Sequence, residues 1–342
     1  MKEALFYTKL KDKQGNPVNN HVKCELCPWL CIIKPDNCGV CRVRQNINGK
    51  LFSLVYARPC SVQVDPIEKK PLYHFMPGAK AFSIATIGCN FSCGFCQNWQ
   101  ISKAEAANIA SQYDELNPEQ AVELCEESKC KIISYTYTEP TIFYEYMLDI
   151  ARIAKKRNIK NTIVSNGYIN EKPLRKLCKF IEGANIDLKG FTDEFYRKTC
   201  QGRLEPVLKT LKVLREEGVW LEITNLIVPG LNDDLKKIEE MCQWIAKELG
   251  REVPLHFSRF HPDYKMTDGQ ATPMETLEKA KQIAEKYLDY VYIGNVDGES
   301  NTVCPNCKSV VIRRSMLNLL ENKLVKDGKC FKCGRKIDGV WK

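Results

Sequence analysis

Ala81-Phe82-Ser83-Ile84-Ala85-Thr86-Ile87-Gly88-Cys89-Asn90-Phe91-Ser92-Cys93-Gly94-Phe95-Cys96-Gln97-Asn98 runs from a short apolar stretch straight into three closely spaced cysteines. The first half, Ala81–Gly88, has the length and composition of a buried strand. Further strand-like runs follow at Ile132–Tyr137, Asn161–Ser165, Ala184–Leu188, Val219–Val228, Pro254–Phe260 and, shorter, Tyr290–Ile293. Helical patterns lie between them at Pro118–Glu127, Thr141–Arg157, Lys172–Ile181, Glu205–Glu217, Asp234–Leu249 and Met274–Tyr287. Asn117-Pro118, Asp233-Asp234 and Thr272-Pro273 are helix-start signals. Regular strand–helix alternation predicts parallel βαβ units. The expected fold is α/β, a partial TIM-like (β/α)6 barrel, with an open doubly wound sheet as the runner-up. In such barrels chemistry collects at the C-terminal ends of the strands. Cys89, Thr138-Glu139-Pro140, Ser165-Asn166-Gly167, Asp187-Leu188-Lys189, Pro229-Gly230-Leu231-Asn232-Asp233 and Arg259-Phe260-His261-Pro262 all fall there in phase.

The chain has 342 residues and 18 cysteines, about 5 per cent. That is below the roughly 8–10 per cent of small disulfide scaffolds, which are also short. Met1–Phe6 lacks the apolar h-region of a signal peptide, and no window reaches the length of a membrane span. A cytoplasmic protein away from membranes is expected, in which so many thiols hold metal rather than disulfides. The formal charge of +9 is uneven: +6 in residues 1–60, −4 in 61–303 and +7 in 304–342. The cysteines give a similar partition. Residues 1–60 read as a Cys-rich metal-binding segment, 61–80 as a linker, 81–300 as the barrel and 301–342 as a zinc-ribbon-like segment.

C-x3-C-x2-C in a loop can hold three irons of a [4Fe–4S] cluster and leave the fourth without a protein ligand. An open position suits catalysis, whereas structural sites are closed. A zinc site completed by a distant ligand is the alternative. The position after the first strand and the aromatic Phe95 beside Cys96 speak against it.

This pattern resembles the signature of radical S-adenosylmethionine (SAM) enzymes, over roughly residues 80–300. The resemblance implies that Cys89, Cys93 and Cys96 carry the cluster and that SAM chelates its open iron. One-electron reduction then yields a 5′-deoxyadenosyl radical that takes hydrogen from a substrate. Later motifs are similar to SAM contacts of the glycyl-radical-activating branch, related to pyruvate formate-lyase activating enzymes. That likeness assigns Glu139 to the SAM ammonium, Ser165 and Asn166 to the ribose turn, Asp187 to ribose hydroxyls and Lys189 to the SAM carboxylate. His261 follows strand six, and Phe95 joins the cofactor residues. Where activating enzymes carry an arginine on strand five, this chain has Thr224.

A narrower likeness spans nearly the whole chain. Cys24-Glu25-Leu26-Cys27-Pro28-x2-Cys31, Gly39-x-Cys41-Arg42-Val43-Arg44, Asp65-Pro66-Ile67-Glu68-Lys69-Lys70-Pro71-Leu72 and Arg259-Phe260-His261-Pro262-Asp263-Tyr264 resemble the radical SAM member of the AmmeMemoRadiSam system. It implies Memo and AMMECR-type proteins as companions.

The C-terminal Cys304-x2-Cys307 and Cys330-x2-Cys333 read as a four-cysteine zinc ribbon. At the N-terminus the subgroup pattern favours Cys24, Cys27, Cys31 and Cys41, holding zinc or a second iron–sulfur cluster. Cys38 could replace Cys31, and His21 and Cys60 are spare candidates. Cys125, Cys130, Cys178, Cys200 and Cys242 read as core or surface residues. The expected function is a radical SAM oxidoreductase acting on a protein, with a reductant such as ferredoxin or flavodoxin. RNA modification is the second reading and a non-catalytic metal-binding protein the third. The ribbon cations Arg313, Arg314, Lys323, Lys326 and Lys329 lack interleaved aromatics, so a solvated face is preferred to a nucleic-acid surface.

Overall fold

A computed structural model describes residues 1–12, 14–106 and 110–342. Eight strands form the central sheet: β1 (Ser61–Pro66), β2 (Lys80–Ala85), β3 (Ile132–Tyr135), β4 (Lys160–Ser165), β5 (Gly183–Asp187), β6 (Trp220–Ile227), β7 (Leu255–Arg259) and β8 (Val291–Gly294). They lie in chain order across the sheet. β2 to β8 are parallel, and β1 is antiparallel to β2 with Ser61 opposite Ala85. The order never reverses, so the doubly wound alternative with its switch point is excluded. Connections that all step the same way place their helices on one face of the sheet. The other face surrounds the buried ends of polar side chains described below.

The helices are α1 (Pro118–Glu127), α2 (Tyr144–Lys156), α3 (Glu171–Cys178), α4 (Leu204–Glu216), α5 (Leu235–Glu248) and α6 (Met274–Ala284). Asn117 caps α1 in a capping box with Gln120, and Asp234 caps α5 through the amides of Lys236 and Lys237. Thr272 does not cap α6. Its hydroxyl donates to the Ile227 carbonyl at 2.6 Å and accepts from the Phe260 amide at 3.0 Å, joining β6 to the end of β7. The helix expected from Thr141 is broken. Pro140–Phe143 is a 3₁₀ turn and α2 follows, because the Glu139 carboxylate takes the Thr141 amide at 2.9 Å.

The stretch 61–80, read as a linker, contains β1. Asp65, Glu68 and Lys70 turn inward rather than to solvent. Asp65 accepts from Lys69, Lys70, Ser83 and Tyr137. Lys70 is 1% exposed, and burial, opposed by Asp65, pushes its pKa down to about 8.

The N-terminal segment holds two small three-stranded sheets. Arg44 fastens it to α2 through a buried fork on Glu145, 3.0 Å to each carboxylate oxygen. The C-terminal segment is a hairpin of Val310–Ser315 and Asn318–Asn322 with shorter strands beside it. Its Arg314 is fully buried, donates to the Tyr73 carbonyl at 2.6 Å and to Thr302 at 2.9 Å, and faces Glu68 at 3.5 Å. Glu222, at the start of β6, receives the amides of Tyr73 and His74 and an imidazole nitrogen of His256. Among the described residues no helix is long and apolar enough to cross a membrane.

Candidate functional site

Each of the seven parallel strands sends a residue to one cleft at its C-terminal end. After β2 come Cys89, Phe91, Cys93, Phe95 and Cys96. Beyond β3 are Tyr137, Thr138 and Glu139, and after β4 Asn166. β5 gives Asp187 and then Lys189. β6 gives Thr224 and Leu226, β7 Ser258, and β8 leads to Asn295. The cleft encloses about 820 Å³ measured out to its open mouth, within the ordinary range of small-molecule sites.

The cysteine loop is held from several sides. Gly88 has φ +97°, and a Cβ there would lie 2.5 Å from Val43 Cγ1 and 2.9 Å from the Cys41 carbonyl oxygen. Only glycine allows the N-terminal segment this close. Trp29 Nε1 donates to the Asn90 carbonyl at 2.8 Å and Lys103 Nζ to that of Phe91 at 2.6 Å. The amide of Ser92 donates to the carbonyl of Cys200 at 2.9 Å, at the end of a π-helical turn over Tyr196–Cys200. Cys96 Sγ lies 3.2 Å from the Ser102 hydroxyl.

The thiols are not alike. Burial, together with the charge of Glu139, pushes Cys89 up to about 12. A hydrogen bond from Cys200, with Lys189 and Lys103 nearby, brings Cys93 down to about 7 despite burial. A bound cation would deprotonate both, because metal charge inverts the local balance.

Glu139 is fully buried and accepts three hydrogen bonds. Oε1 takes the Ser165 hydroxyl at 2.8 Å and the Thr141 amide at 2.9 Å, and Oε2 takes the Asn166 amide at 2.8 Å. Burial raises its pKa in spite of these donors. Asn166 Nδ2 donates to Asn90 Oδ1 at 2.8 Å and lies 3.8 Å from Cys89 Sγ. Lys189 Nζ pairs with Asp187 Oδ2 at 2.7 Å. Burial alone would lower Lys189, but Asp187 and the sulfurs of Cys93 and Cys200 outweigh it and raise it.

Of the residues expected from sequence, Cys89, Cys93, Cys96, Phe95, Glu139, Asn166, Asp187 and Lys189 line the cleft. Ser165 does not; it stands behind Glu139. His261 does not either; it is exposed and accepts from Gln97 Nε2 at 2.8 Å. Cys200, read as a core residue, is buried against Cys93. Gln97, Asn98, Tyr137, Ser102, Leu226, Ser258 and Asn295 were not singled out as site residues. The sequence signal for Tyr137 is its place in the lead-in to Glu139. It adopts φ +64°, uncommon for a bulky residue.

The C-terminal cysteines converge separately. Cys304, Cys307, Cys330 and Cys333 have all four sulfurs within 4.8 Å of one another, with Cys304–Cys333 and Cys307–Cys330 at 3.6 Å. Four thiolates at about 2.3 Å around one tetrahedral ion lie about 3.8 Å apart, so the set fits a zinc ion.

A cysteine triplet facing a carboxylate and a lysine across the ends of parallel strands defines a class, and the chain belongs to the radical SAM superfamily: residues 83–245 match that family. It is a radical SAM enzyme, and membership implies a [4Fe–4S] cluster and SAM. The chain is 48% identical over 344 residues to the uncharacterized protein MJ0808 of Methanocaldococcus jannaschii, covering 99% of this chain and 100% of that one. It is 23% identical over 154 residues to the (2S)-3-sulfopropanediol dehydratase activating enzyme of Klebsiella oxytoca, covering 44% and 49%. This likeness relates it to glycyl-radical-activating enzymes. Among solved structures, SuiB of Streptococcus suis bound to S-adenosylmethionine shares the fold, with TM-score 0.51, 14% identity and coverage of 67% and 53%.

Proposed function

We propose that this chain cleaves SAM reductively in a partial (β/α)6 barrel and abstracts hydrogen from a protein substrate, in the manner of glycyl-radical-activating enzymes. The observation that carries the reading is the convergence of Cys89, Cys93 and Cys96 with Glu139, Asn166, Asp187 and Lys189 on one cleft. Three thiolates in that loop suit three irons and leave the fourth for SAM. When bound, the cluster and SAM supply a 5′-deoxyadenosyl radical. The chain's own residues do the rest. Glu139, oriented by Ser165, Thr141 and Asn166, would receive the SAM ammonium. Lys189 would hold the SAM carboxylate and Asp187 the ribose hydroxyls, the two now paired with each other at 2.7 Å. Phe95 packs beneath Lys189 Nζ, 5.9 Å from its ring centre.

The wall formed by Thr224, Leu226, Ser258 and Asn295 carries no charge, so the substrate segment beside it is recognised by hydrogen bonds and shape. A cytoplasmic location, a ferredoxin or flavodoxin donor, and Memo and AMMECR-type companions belong to the same reading, as does zinc in the C-terminal quartet. RNA is the weaker target. Of the ribbon cations, Arg314 is buried with Glu68, Arg313 pairs with Glu299 at 2.8 Å and Lys323 with Glu321 at 3.1 Å.

Anaerobically reconstituted protein with dithionite and SAM is expected to yield 5′-deoxyadenosine, and the Cys89→Ala, Cys93→Ala, Cys96→Ala variant none. Equal product from both would overturn the proposal.

A further inference from the structure

Neither the cleft nor the ribbon uses the N-terminal cysteines. Cys24 and Cys41 are buried, and Cys27 and Cys31 half-buried. The Cys24 amide donates to the Cys31 carbonyl at 2.9 Å, closing the loop that carries Cys27. Cys31 Sγ lies 3.5 Å from where a Cβ on Gly39 would stand. Gly39 opens the turn that carries Cys41, with the Arg42 amide on the Gly39 carbonyl at 2.8 Å. Cys24, Cys31 and Cys41 all lie within electrostatic reach of Cys27. The backbone of Cys38 pairs instead with Gln45. The four thiols grouped at this place are Cys24, Cys27, Cys31 and Cys41.

They are spaced more widely than the ribbon quartet, which among the described residues is the one set with all sulfurs within 4.8 Å. One zinc ion draws four thiolates to about 3.8 Å. A cubane cluster gives each thiolate its own iron and holds the sulfurs further apart. Cationic side chains follow Cys41 at Arg42 and at the buried Arg44, which opens the strand Arg44–Ile47. Arg44 is 1% exposed and senses the charges of Cys24 and Cys41. The Nε atoms of Arg42 and Arg44 are both buried with no hydrogen-bond partner. Unspent N–H donors beside thiolates suit a group that accepts hydrogen bonds at sulfur, as clusters do.

The site also adjoins the catalytic loop. Arg42, next to Cys41, donates from Nη2 to the Ser102 carbonyl at 3.2 Å, and the Ser102 hydroxyl lies 3.2 Å from Cys96 Sγ. The Cys41 carbonyl packs on Gly88, the residue before Cys89.

We infer that Cys24, Cys27, Cys31 and Cys41 bind a second iron–sulfur cluster, which passes single electrons to the Cys89–Cys96 loop. A one-electron donor of the ferredoxin class reduces this cluster. It is reoxidised by giving the same electron to the centre at the triplet, and no bond or proton moves. The relay role rests on the radical SAM reading; the cluster's existence does not.

Iron, acid-labile sulfide and zinc, measured with electron paramagnetic resonance on anaerobically reconstituted full-length protein, test it. About eight irons per chain are expected in the wild type, and about four in either Cys24→Ala, Cys27→Ala or the triplet-to-alanine variant. Cys38→Ala should keep the wild-type content. Should the first variant be insoluble, four irons and a cluster signal in the triplet variant suffice. An iron-free triplet variant, with zinc in both four-cysteine sites of the wild type, overturns the inference. Triplet mutations that leave the iron content unchanged overturn the radical SAM reading instead. For the relay, reduced plant-type ferredoxin should lose its ability to reduce the triplet centre in Cys24→Ala, Cys27→Ala, while dithionite still reduces it. Undiminished reduction by ferredoxin overturns the relay.

Discussion

Replacing Glu139 with glutamine isolates the charge proposed to hold SAM. The carboxylate satisfies three buried donors, two at Oε1 and one at Oε2. An amide has one oxygen, so two donors keep a partner and the NH₂ faces the third. A buried donor left unpaired costs about 1–3 kcal/mol of stability. Binding loses something else. A hydrogen bond from the SAM ammonium to a carboxylate is charge-assisted and contributes about 1.5–3 kcal/mol. At about 1.4 kcal/mol per decade, Glu139→Gln should weaken SAM binding roughly 10–150-fold. Anaerobic equilibrium binding of SAM measures this, with iron content and urea midpoint followed on the same samples. Ser165→Ala is the reference: it removes one donor to Glu139 without touching the cleft, so its loss of SAM affinity should be smaller. An unchanged SAM Kd in Glu139→Gln protein that keeps its iron would refute the role of Glu139. A larger loss in Ser165→Ala would refute the division between the two residues.

Three other outcomes are expected. Arg314→Met leaves Glu68 buried without its cation and should cost about 3–5 kcal/mol in urea unfolding, while adding Glu68→Leu should recover most of it. Burial, opposed by Glu222, pushes His74 down to about 4 from an unfolded value near 6.5. Below 6.5 the unfolded chain therefore binds the proton first. The contribution of His74 is complete above that pH and is lost as pH falls toward 4, up to about 3 kcal/mol; a His74→Gln variant should show a flatter stability profile over that range. Cys304→Ser with Cys330→Ser should remove about one zinc ion per chain and lower the unfolding temperature, as metal analysis and calorimetry would show.

Most of the parallel framework was legible because its periodicity is local. Each expected strand from Ala81 to Ile293 lies within a few residues of an observed one, and the capping of α1 was visible in Asn117-Pro118. The cleft was legible where chemistry is bound to spacing, as in Cys89, Cys93 and Cys96, or to a strand end, as in Glu139 and Lys189. Burial of charge was not. Asp65, Glu68 and Lys70 look solvated in a one-dimensional reading; Asp65 and Lys70 pair locally, but Tyr137, Ser83 and Arg314, distant in sequence, complete the set that makes their burial tolerable. Val62 and Val64 alternate as a strand should, but the polar neighbours of this edge strand disguised it. Cys200 reaches Cys93 through a π-helical turn more than a hundred residues away, a contact no local pattern encodes. Ser165 and His261 enter by motif likeness, which does not determine whether a side chain faces the cleft: Ser165 stands behind Glu139 and His261 beside Gln97.

The Glu68–Arg314 pair also has a timetable. The two residues are 246 positions apart, and a ribosome adding about 5–20 residues per second needs roughly 12–50 s to cover that distance. Throughout that interval Glu68, Tyr73 and the floor beneath them await a partner still to be synthesised. The C-terminal hairpin, made after the sheet it packs on, thus supplies the cation that covers Glu68, and a nascent chain stalled before residue 314 would leave that carboxylate without it.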